Sequence, residues 1–328
     1  MRKITVGAIQ PGSLPFDPRF DCLSGSFAGD VKIILQDYVT PQLSVSLSLL
    51  EGCGKAGCTI ATSCEDMTSL GRFLTADPMF FMEMAQSAAV IAEDKLSALA
   101  KKYRMYIIGC YFKPGVGKIY NTASLFDPAG HIAGEYRKTH LPPDETWQAA
   151  EGGSIDVIET GFGKIGIEIC YDMMFPEVTD VLSLAGADVI FHPTAGYGWY
   201  DSIGEATLRT RANDGSVFLV TAKNYTYNAA GKSSVIDRWG QVLADAGFYE
   251  NVIVYKEIDL DMPKSQPDWF YSTNMSGIAD VRQRKLTERR PELYGKIIEK
   301  QSVKMAAPDE ERKNELRRRI RNGQCRWS

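Results

Sequence analysis

A chain of 328 residues is long enough for one large domain or two modest ones. Hydrophobic residues make up 44% and charged residues 24%, an ordinary globular balance, and the net charge of −4 argues against a general nucleic-acid binder. No apolar stretch approaches the roughly 20 residues needed to span a bilayer, and the N-terminus is a poor signal peptide. We therefore expect a soluble cytoplasmic protein that contacts neither nucleic acid nor membrane.

Short apolar or β-branched runs recur along the chain and predict strands. They lie at about 3–10, 57–64, 105–112, 120–127, 131–138, 155–160, 165–170, 187–193, 216–223, 233–240 and 251–260. Two longer patterns, at about 79–103 and 204–215, predict helices that each lead into a strand, and "FDPAGH" and "DRWGQ" are typical of hairpin turns. This order predicts a single α/β domain.

Two regions lack such patterns. Residues 11–45 contain Pro, Gly and Ser without clean periodicity, which predicts a long loop. The main domain is expected to cover 1–300, and 301–328 form a charge-rich C-terminal tail. We interpret the tail as a solvated helix or as an arm onto a partner subunit.

The cysteines give no sign of a disulfide framework or of a metal site. Their number is odd and their spacing irregular, which suits a reducing compartment: Cys22, Cys53, Cys58, Cys64, Cys110, Cys170 and Cys325. No C-x-x-C pair occurs, and the three histidines are scattered, so we expect no metal. "GFGKIG" at 161–166 matches a dinucleotide-binding pattern, but it lies between two predicted strands and is interpreted as a hairpin.

Three reactive residues each stand at the C-terminal end of a predicted strand: Glu65, Lys138 and Cys170. Open α/β sheets gather their active-site groups beyond the carboxyl ends of strands, so these side chains are expected to converge. A cysteine can attack a carbonyl carbon, a carboxylate can accept the thiol proton, and a lysine ammonium can stabilise the oxyanion that forms. The alternatives are a capping glutamate, a surface lysine and a core thiol.

The segments around these residues resemble the nitrilase superfamily of carbon–nitrogen hydrolases. "YRKTHLPP" and "GIEICYDMMFPE" are the strongest matches, and "SSVIDRWGQVLADAG" and "ERRPELYG" are similar to later family segments. The resemblance implies an α/β fold arranged as a four-layer α-β-β-α sandwich, a homodimer or higher homo-oligomer, and no cofactor. It also implies that Glu65 is the general base, Lys138 the oxyanion stabiliser and Cys170 the nucleophile.

A second glutamate is implied by the same resemblance. Glu145 fits the family position after the lysine, where it would position lysine and substrate, and Glu151 is its rival. The sequence also departs from the family. Cys64 stands where proline is common before the first glutamate, and Met173 and Met174 fill a stretch where some branches carry a carboxylate-binding arginine. That departure weakens an omega-amidase assignment.

The resemblance favours hydrolysis of a small amide or N-carbamoyl compound through an acyl-enzyme, with release of ammonia. Candidate substrate-binding residues are Tyr171, Tyr197 and Trp199. The alternatives are a nitrile hydrolase of the same fold, an acyltransferase and a non-catalytic binding protein that keeps the fold.

Overall fold

The computed structural model describes residues 2–15, 17–22, 27–74, 76–196, 201–224, 232–262 and 280–300, with 201–203 described by backbone only. Two compact units divide the chain, Met1–Asp261 and Met262–Trp327. The predicted tail, 301–328, lies outside the described residues. No helix within the described ranges is both long and apolar enough to cross a membrane.

The first unit contains two six-stranded sheets, as far as the chain is described. The first sheet has the strand order β12-β1-β2-β3-β4-β5 and the second the order β11-β10-β9-β8-β7-β6. The strands are β1 Lys3–Gln10, β2 Ile60–Thr62, β3 Tyr106–Gly115, β4 Lys118–Phe126, β5 Ile132–Arg137, β6 Ile158–Glu159, β7 Lys164–Ile167, β8 Val189–Thr194, β9 Phe218–Lys223, β10 Ser234–Ile236, β11 Val242–Asp245 and β12 Val252–Asp259.

The two sheets repeat one pairing pattern. In each, three central strands are parallel (β1, β2 and β3, or β7, β8 and β9), and antiparallel strands flank them. Parallel neighbours place their carboxyl ends at the same edge of a sheet. The segments after β2 and β7 therefore leave the sheets where active-site groups can gather.

Helices cover the outer faces of both sheets, which makes four layers. The helices of the first unit are α1 Val31–Ile34, a π-helical segment Leu35–Val39, α2 Thr40–Lys55, α3 Pro78–Tyr103, α4 Pro176–Leu184 and α5 Asp201–Gly215. Short 3-10 helices are Pro18–Phe20, Leu70–Phe73, Glu145–Trp147 and Cys170–Met174, and the second unit contains α6 Val281–Glu288, the 3-10 helix Pro291–Leu293 and α7 Gly295–Ile298.

The main hydrophobic core lies between the two sheets. It combines alternate residues of facing strands, such as Val6, Ile108, Ile167, Phe191 and Val220, all of them buried. In separate apolar clusters, α2 and α3 pack against the first sheet, and α4 and α5 pack against the second. Burial of apolar surface at about 25 cal/mol per Å² makes these layers the main source of stability. The predicted four-layer α-β-β-α sandwich is confirmed.

The predicted strands and both long helices are present. The helix predicted at 79–103 is α3, and the one predicted at 204–215 is α5. "FDPAGH" joins β4 to β5 and "DRWGQ" joins β10 to β11, both as antiparallel hairpins. "GFGKIG" connects the antiparallel pair β6 and β7, so its glycines belong to a strand–turn–strand unit and not to a dinucleotide site.

The long loop predicted at 11–45 is wrong beyond Asp30. Asp30 caps a helix by accepting hydrogen bonds from the backbone of Lys32 and Ile33, and helical structure continues to Lys55. A π-helical segment shifts the phase of the buried face, and Pro41 at the start of α2 lacks a donor for the ladder. That interruption removes the regular 3.6-residue period that a sequence reading needs.

Candidate active site

Lys138 lies between two glutamates in the interior of the first unit. Its Nζ atom is 2.7 Å from Glu65 Oε1 and 2.6 Å from Glu145 Oε2. Lys138 is 1% exposed, Glu145 4% and Glu65 5%. Charges this well buried need close partners, and each member of this cluster has one.

Three different elements supply the cluster. Glu65 follows β2, Lys138 follows β5 directly, and Glu145 opens the 3-10 helix Glu145–Trp147. The backbone N–H of Lys138 donates to the carbonyl of Asn121 on β4 at 2.9 Å, so the lysine backbone is still hydrogen-bonded to the sheet. The backbone N–H of Ala195, after β8, donates to Glu65 Oε2 at 2.8 Å and ties the second sheet to the same carboxylate.

Asn121 joins the two glutamates from the other side. Its Nδ2 group donates to Glu65 Oε1 at 2.9 Å and to Glu145 Oε1 at 2.7 Å. The Cys110 thiol donates to Asn121 Oδ1 at 3.4 Å, which fixes the amide with its nitrogen toward the glutamates. Asn121 therefore sets the spacing of the two carboxylates without adding charge.

The two glutamates have shifted pKa values of opposite sign. Burial alone would raise the pKa of Glu65, but the Lys138 charge and hydrogen bond outweigh it, so that pKa lies below its ordinary value. Burial raises the pKa of Glu145 to about 7, against the effect of Lys138 and with a contribution from the Glu65 charge. Burial disfavours the Lys138 ammonium, yet the two carboxylates hold the lysine pKa well above its usual value. Glu65 is thus the carboxylate that stays ionised.

Cys170 occupies a tight turn at the end of the strand β7. It is the first residue of the 3-10 helix Cys170–Met174, and its φ of +47° lies in the left-handed region. A non-glycine residue held there stores about 1–3 kcal/mol of strain, which the surrounding structure must hold in place. His192 on β8 contributes, because its Nε2 lies 3.2 Å from the Cys170 carbonyl oxygen. The helix α4 begins only at Pro176, so the 3-10 turn separates it from Cys170.

The Cys170 side chain interacts with the Glu65 carboxylate and with Thr194 at the end of β8, and both interactions act on the pKa of the thiol. Burial raises the pKa of this thiol, and the Glu65 charge adds to the effect, while Lys138 opposes it. Burial lowers the pKa of His192 to about 4, so that imidazole is neutral at pH 7. The resting site therefore pairs a neutral thiol with an ionised carboxylate.

The structure brings together four of the residues singled out from the sequence: Glu65, Lys138, Glu145 and Cys170. Glu151, the rival of Glu145, is exposed. Tyr171 is half-buried and packs edge-to-face against Phe175, with ring centroids 5.6 Å apart. Tyr197 and Trp199 lie outside the described residues.

The two methionines after the cysteine have different surroundings. Met173 is buried in an apolar cluster with Leu208 and Leu219. Met174 is 39% exposed. The Met173 carbonyl accepts hydrogen bonds from Arg211 Nε at 3.4 Å and Nη2 at 3.3 Å. Met174 is thus the half-exposed side chain next to the Cys170 turn, in the stretch where some family branches carry an arginine.

Sequence reasoning missed several groups that complete the site. Asn121 and Thr194 are polar residues buried within the strands β4 and β8, and a polar side chain inside a predicted strand is the signal that could have identified them. The sequence cannot predict that the Ala195 backbone N–H donates to Glu65, because any residue except proline supplies such a donor.

Residues 73–267 match the family model described as carbon-nitrogen hydrolase. The match includes Lys138, Glu145 and Cys170, and Glu65 lies just before it. Among similar proteins, omega-amidase NIT2 of Homo sapiens is 34% identical over 201 residues, covering 55% of this chain and 71% of the relative.

Solved structures share the fold. A carbon-nitrogen hydrolase from Helicobacter pylori G27 has a TM-score of 0.71 at 22% identity, covering 91% of this chain and 99% of that one. A cysteine-to-alanine mutant of the amidase from Nesterenkonia sp. AN1, in complex with butyramide, has a TM-score of 0.65 at 18% identity, covering 89% and 95%.

The four-layer sandwich with its buried Lys–Glu cluster has the fold of the nitrilase superfamily. The chain belongs to the carbon–nitrogen hydrolase family and is an enzyme of that hydrolase class. The expected superfamily and enzyme class are confirmed.

Proposed function

We propose that this enzyme hydrolyses a small amide or N-carbamoyl compound through a covalent intermediate on Cys170. The observation that carries the proposal is the position of Lys138 between Glu65 and Glu145, with the Cys170 thiol close enough to this cluster that the charges of Glu65 and Lys138 both act on its pKa. This arrangement holds a nucleophile, a base and a cation within one buried cluster.

In the first half of the reaction, Sγ of Cys170 attacks the carbonyl carbon while Glu65 accepts the thiol proton. The raised pKa of Cys170 and the lowered pKa of Glu65 favour proton transfer during attack over a preformed thiolate. The Lys138 ammonium and the backbone N–H of Tyr171 stabilise the oxyanion. The C–N bond then breaks, the leaving nitrogen takes the proton from Glu65, and a thioester remains on Cys170.

In the second half, Glu65 accepts a proton from water as that water attacks the thioester carbonyl carbon. The C–S bond breaks, the acid product leaves, and Sγ regains its proton. Glu145 holds the other side of the Lys138 ammonium throughout. Its role is to orient the lysine toward the oxyanion and to balance its charge after Glu65 becomes neutral.

Two similarities support an amide as the substrate class. A human relative bears the name omega-amidase, and a solved structure with the same fold binds butyramide. Met174 offers no cation for a substrate carboxylate in the stretch where some branches carry arginine. A panel of amides, N-carbamoyl compounds and nitriles, each with neutral and carboxylate-bearing side chains, separates these classes.

We also propose that the enzyme works as a homo-oligomer in the cytoplasm. The helix α4 leaves Val181 and Leu184, each 41% exposed, on its outer face, which suits packing against a second copy. The six cysteines within the described residues form no disulfide, as a reducing compartment allows. Light scattering on the purified enzyme and fractionation of the source cells test the two statements.

The decisive experiment compares Cys170→Ala with Cys22→Ala. Ammonia release from the best substrate of the panel should fall at least about 10³-fold in Cys170→Ala, because a covalent intermediate can no longer form. Cys22 is a thiol outside the cluster, and Cys22→Ala should keep wild-type turnover. Unchanged turnover in Cys170→Ala would overturn the proposed function.

A further inference from the structure

A buried carboxylate joins the two segments that carry Lys138 and Cys170. Asp172 is fully buried. Its Oδ1 atom accepts hydrogen bonds from Thr139 Oγ1 at 3.0 Å and from the backbone N–H of His140 at 2.9 Å. Its Oδ2 atom accepts from the Tyr136 hydroxyl at 2.8 Å and from the backbone N–H of Ile169 at 2.9 Å.

The donors lie on both sides of the proposed catalytic groups. Tyr136, Thr139 and His140 flank Lys138 in sequence, and Ile169 directly precedes Cys170. The Asp172 carboxylate is thus a bridge of about two hydrogen-bond lengths between the segment 136–140 and the turn 169–172. Cys170, whose φ angle is positive, lies inside that turn. The Asp172 carboxylate therefore also holds this strained residue in place.

Asp172 is a strong acceptor. Burial would raise its pKa, but the bonds from His140, Ile169, Tyr136 and Thr139 keep that pKa below its ordinary value. With the carboxylate ionised, His140 Nδ1, 3.0 Å from Oδ1, serves as a further donor when its proton is on Nδ1. The His140 ring also stacks on Phe175 at 3.9 Å between centroids, which fixes its orientation.

We propose that Asp172 is a positioning residue that sets the distance between the Lys138 ammonium and the Cys170 thiol; this rests on the proposed function of those two groups. Asp172 touches neither the substrate nor the reacting atoms. It acts by keeping two segments from different sheets in one register, and a displacement of about 1 Å there costs on the order of 10²-fold in rate.

The test uses the full chain and two readouts. The first is ammonia release from the best amide of the panel, expressed as kcat per active site titrated by Cys170 alkylation. The second is the rate at which iodoacetamide alkylates Cys170, followed by mass spectrometry, with Cys22 of the same molecule as the internal control.

For Asp172→Asn we expect kcat per titrated site to fall about 10²-fold with little change in KM, and Cys170 alkylation to slow while Cys22 alkylation does not. Tyr136→Phe removes one donor to the carboxylate and should lower kcat about 10-fold. In the Asp172→Asn background the same Tyr136→Phe change should have little further effect, because the two residues act through one bond.

A purely structural role predicts a different result. Asp172→Asn would then lower the melting temperature and the number of titratable sites, but leave kcat per site and Cys170 alkylation at wild-type values, which overturns the proposal. If Asp172→Asn does not fold, Tyr136→Phe decides alone, and a wild-type kcat per site in that variant also overturns it. Loss of the proposed function itself is recognised separately, by an active Cys170→Ala.

Discussion

Lys138 Nζ lies 2.7 Å from Glu65 Oε1, although the two residues are 73 positions apart and follow different strands of the first sheet. Both side chains are almost wholly buried, so water and dissolved ions weaken the attraction between the two charges very little. The same ammonium contacts Glu145 at 2.6 Å, which gives the cluster two carboxylates and one cation. The Glu65 carboxylate also accepts hydrogen bonds from Asn121 and from the backbone N–H of Ala195.

Replacement of Lys138 by glutamine should remove activity and stability together. Two buried glutamates would lose their only ammonium partner within the described cluster, a change that typically costs about 3–5 kcal/mol in the free energy of unfolding. Turnover should fall on the order of 10²–10³-fold, because the oxyanion loses its cation. Urea unfolding and ammonia release measure the two effects.

The control for Lys138→Gln is Lys164→Gln, which breaks a surface ion pair with Glu159. That change should alter the free energy of unfolding by less than about 1 kcal/mol and leave turnover intact. Lowering the pH should restore part of the stability of Lys138→Gln, since protonation of a glutamate relieves the repulsion. Equal stability losses in the two variants would contradict the structure of the cluster.

Glutamine substitution tests whether Glu145 or Glu151 is the second glutamate of the active site. Glu145→Gln should lower kcat on the order of 10²-fold, because an amide orients the Lys138 ammonium less strongly than a carboxylate. Glu151 is exposed, and Glu151→Gln should keep wild-type kcat and KM. Steady-state kinetics on the same amide measures both, and a larger effect from Glu151→Gln would reverse the assignment.

Glu168 should make the enzyme less stable as the pH rises. It is fully buried, its Oε2 accepts from the Thr179 hydroxyl at 2.9 Å, and its Oε1 has no hydrogen-bond partner among the described residues. Burial raises its pKa from 4.5 to about 7, with the Asp172 charge adding to the effect and the Thr179 hydrogen bond and the Arg211 charge opposing it. The native protein therefore retains a proton that the unfolded chain releases between those two pH values.

The sign follows from proton binding. Where the native state binds more protons, stability falls as the pH rises, by about 3 kcal/mol in total for this group. The Glu168→Gln variant has no titrating group at position 168. Its free energy of unfolding relative to wild type should therefore increase by about that amount between pH 5 and pH 8. Urea unfolding of both proteins at the two pH values measures the difference. A difference that does not change with pH would exclude a raised Glu168 pKa.

Much of the fold was predictable because the strands are continuous apolar runs and the long helices carry regular patterns. The helix α3 and the hairpin after β4 are specified by local sequence alone. The segment 31–55 was not predictable, since a π-helical interruption changes the helical phase and hides the buried face.

The active site likewise has residues that the sequence predicts and residues that it does not. Glu65, Lys138 and Cys170 could be found because each reactive side chain ends an apolar strand. Asn121 and the bridge through Asp172 depend on contacts between segments that are distant in sequence, such as the bond between Tyr136 and Asp172. A single sequence has no signal for which donors surround a buried carboxylate, because that depends on how the two sheets are packed.

The proposed mechanism requires that Cys170 carries the acyl group during turnover. The most direct measurement is intact-protein and peptide mass spectrometry of the enzyme quenched with acid during turnover of an amide from the panel. A covalent mechanism predicts a mass increase equal to the acyl group, located on Cys170, absent from Cys170→Ala and reduced in Lys138→Gln. Ammonia release with no adduct on Cys170 in rapidly quenched samples, and with full activity in Cys170→Ala, would contradict it.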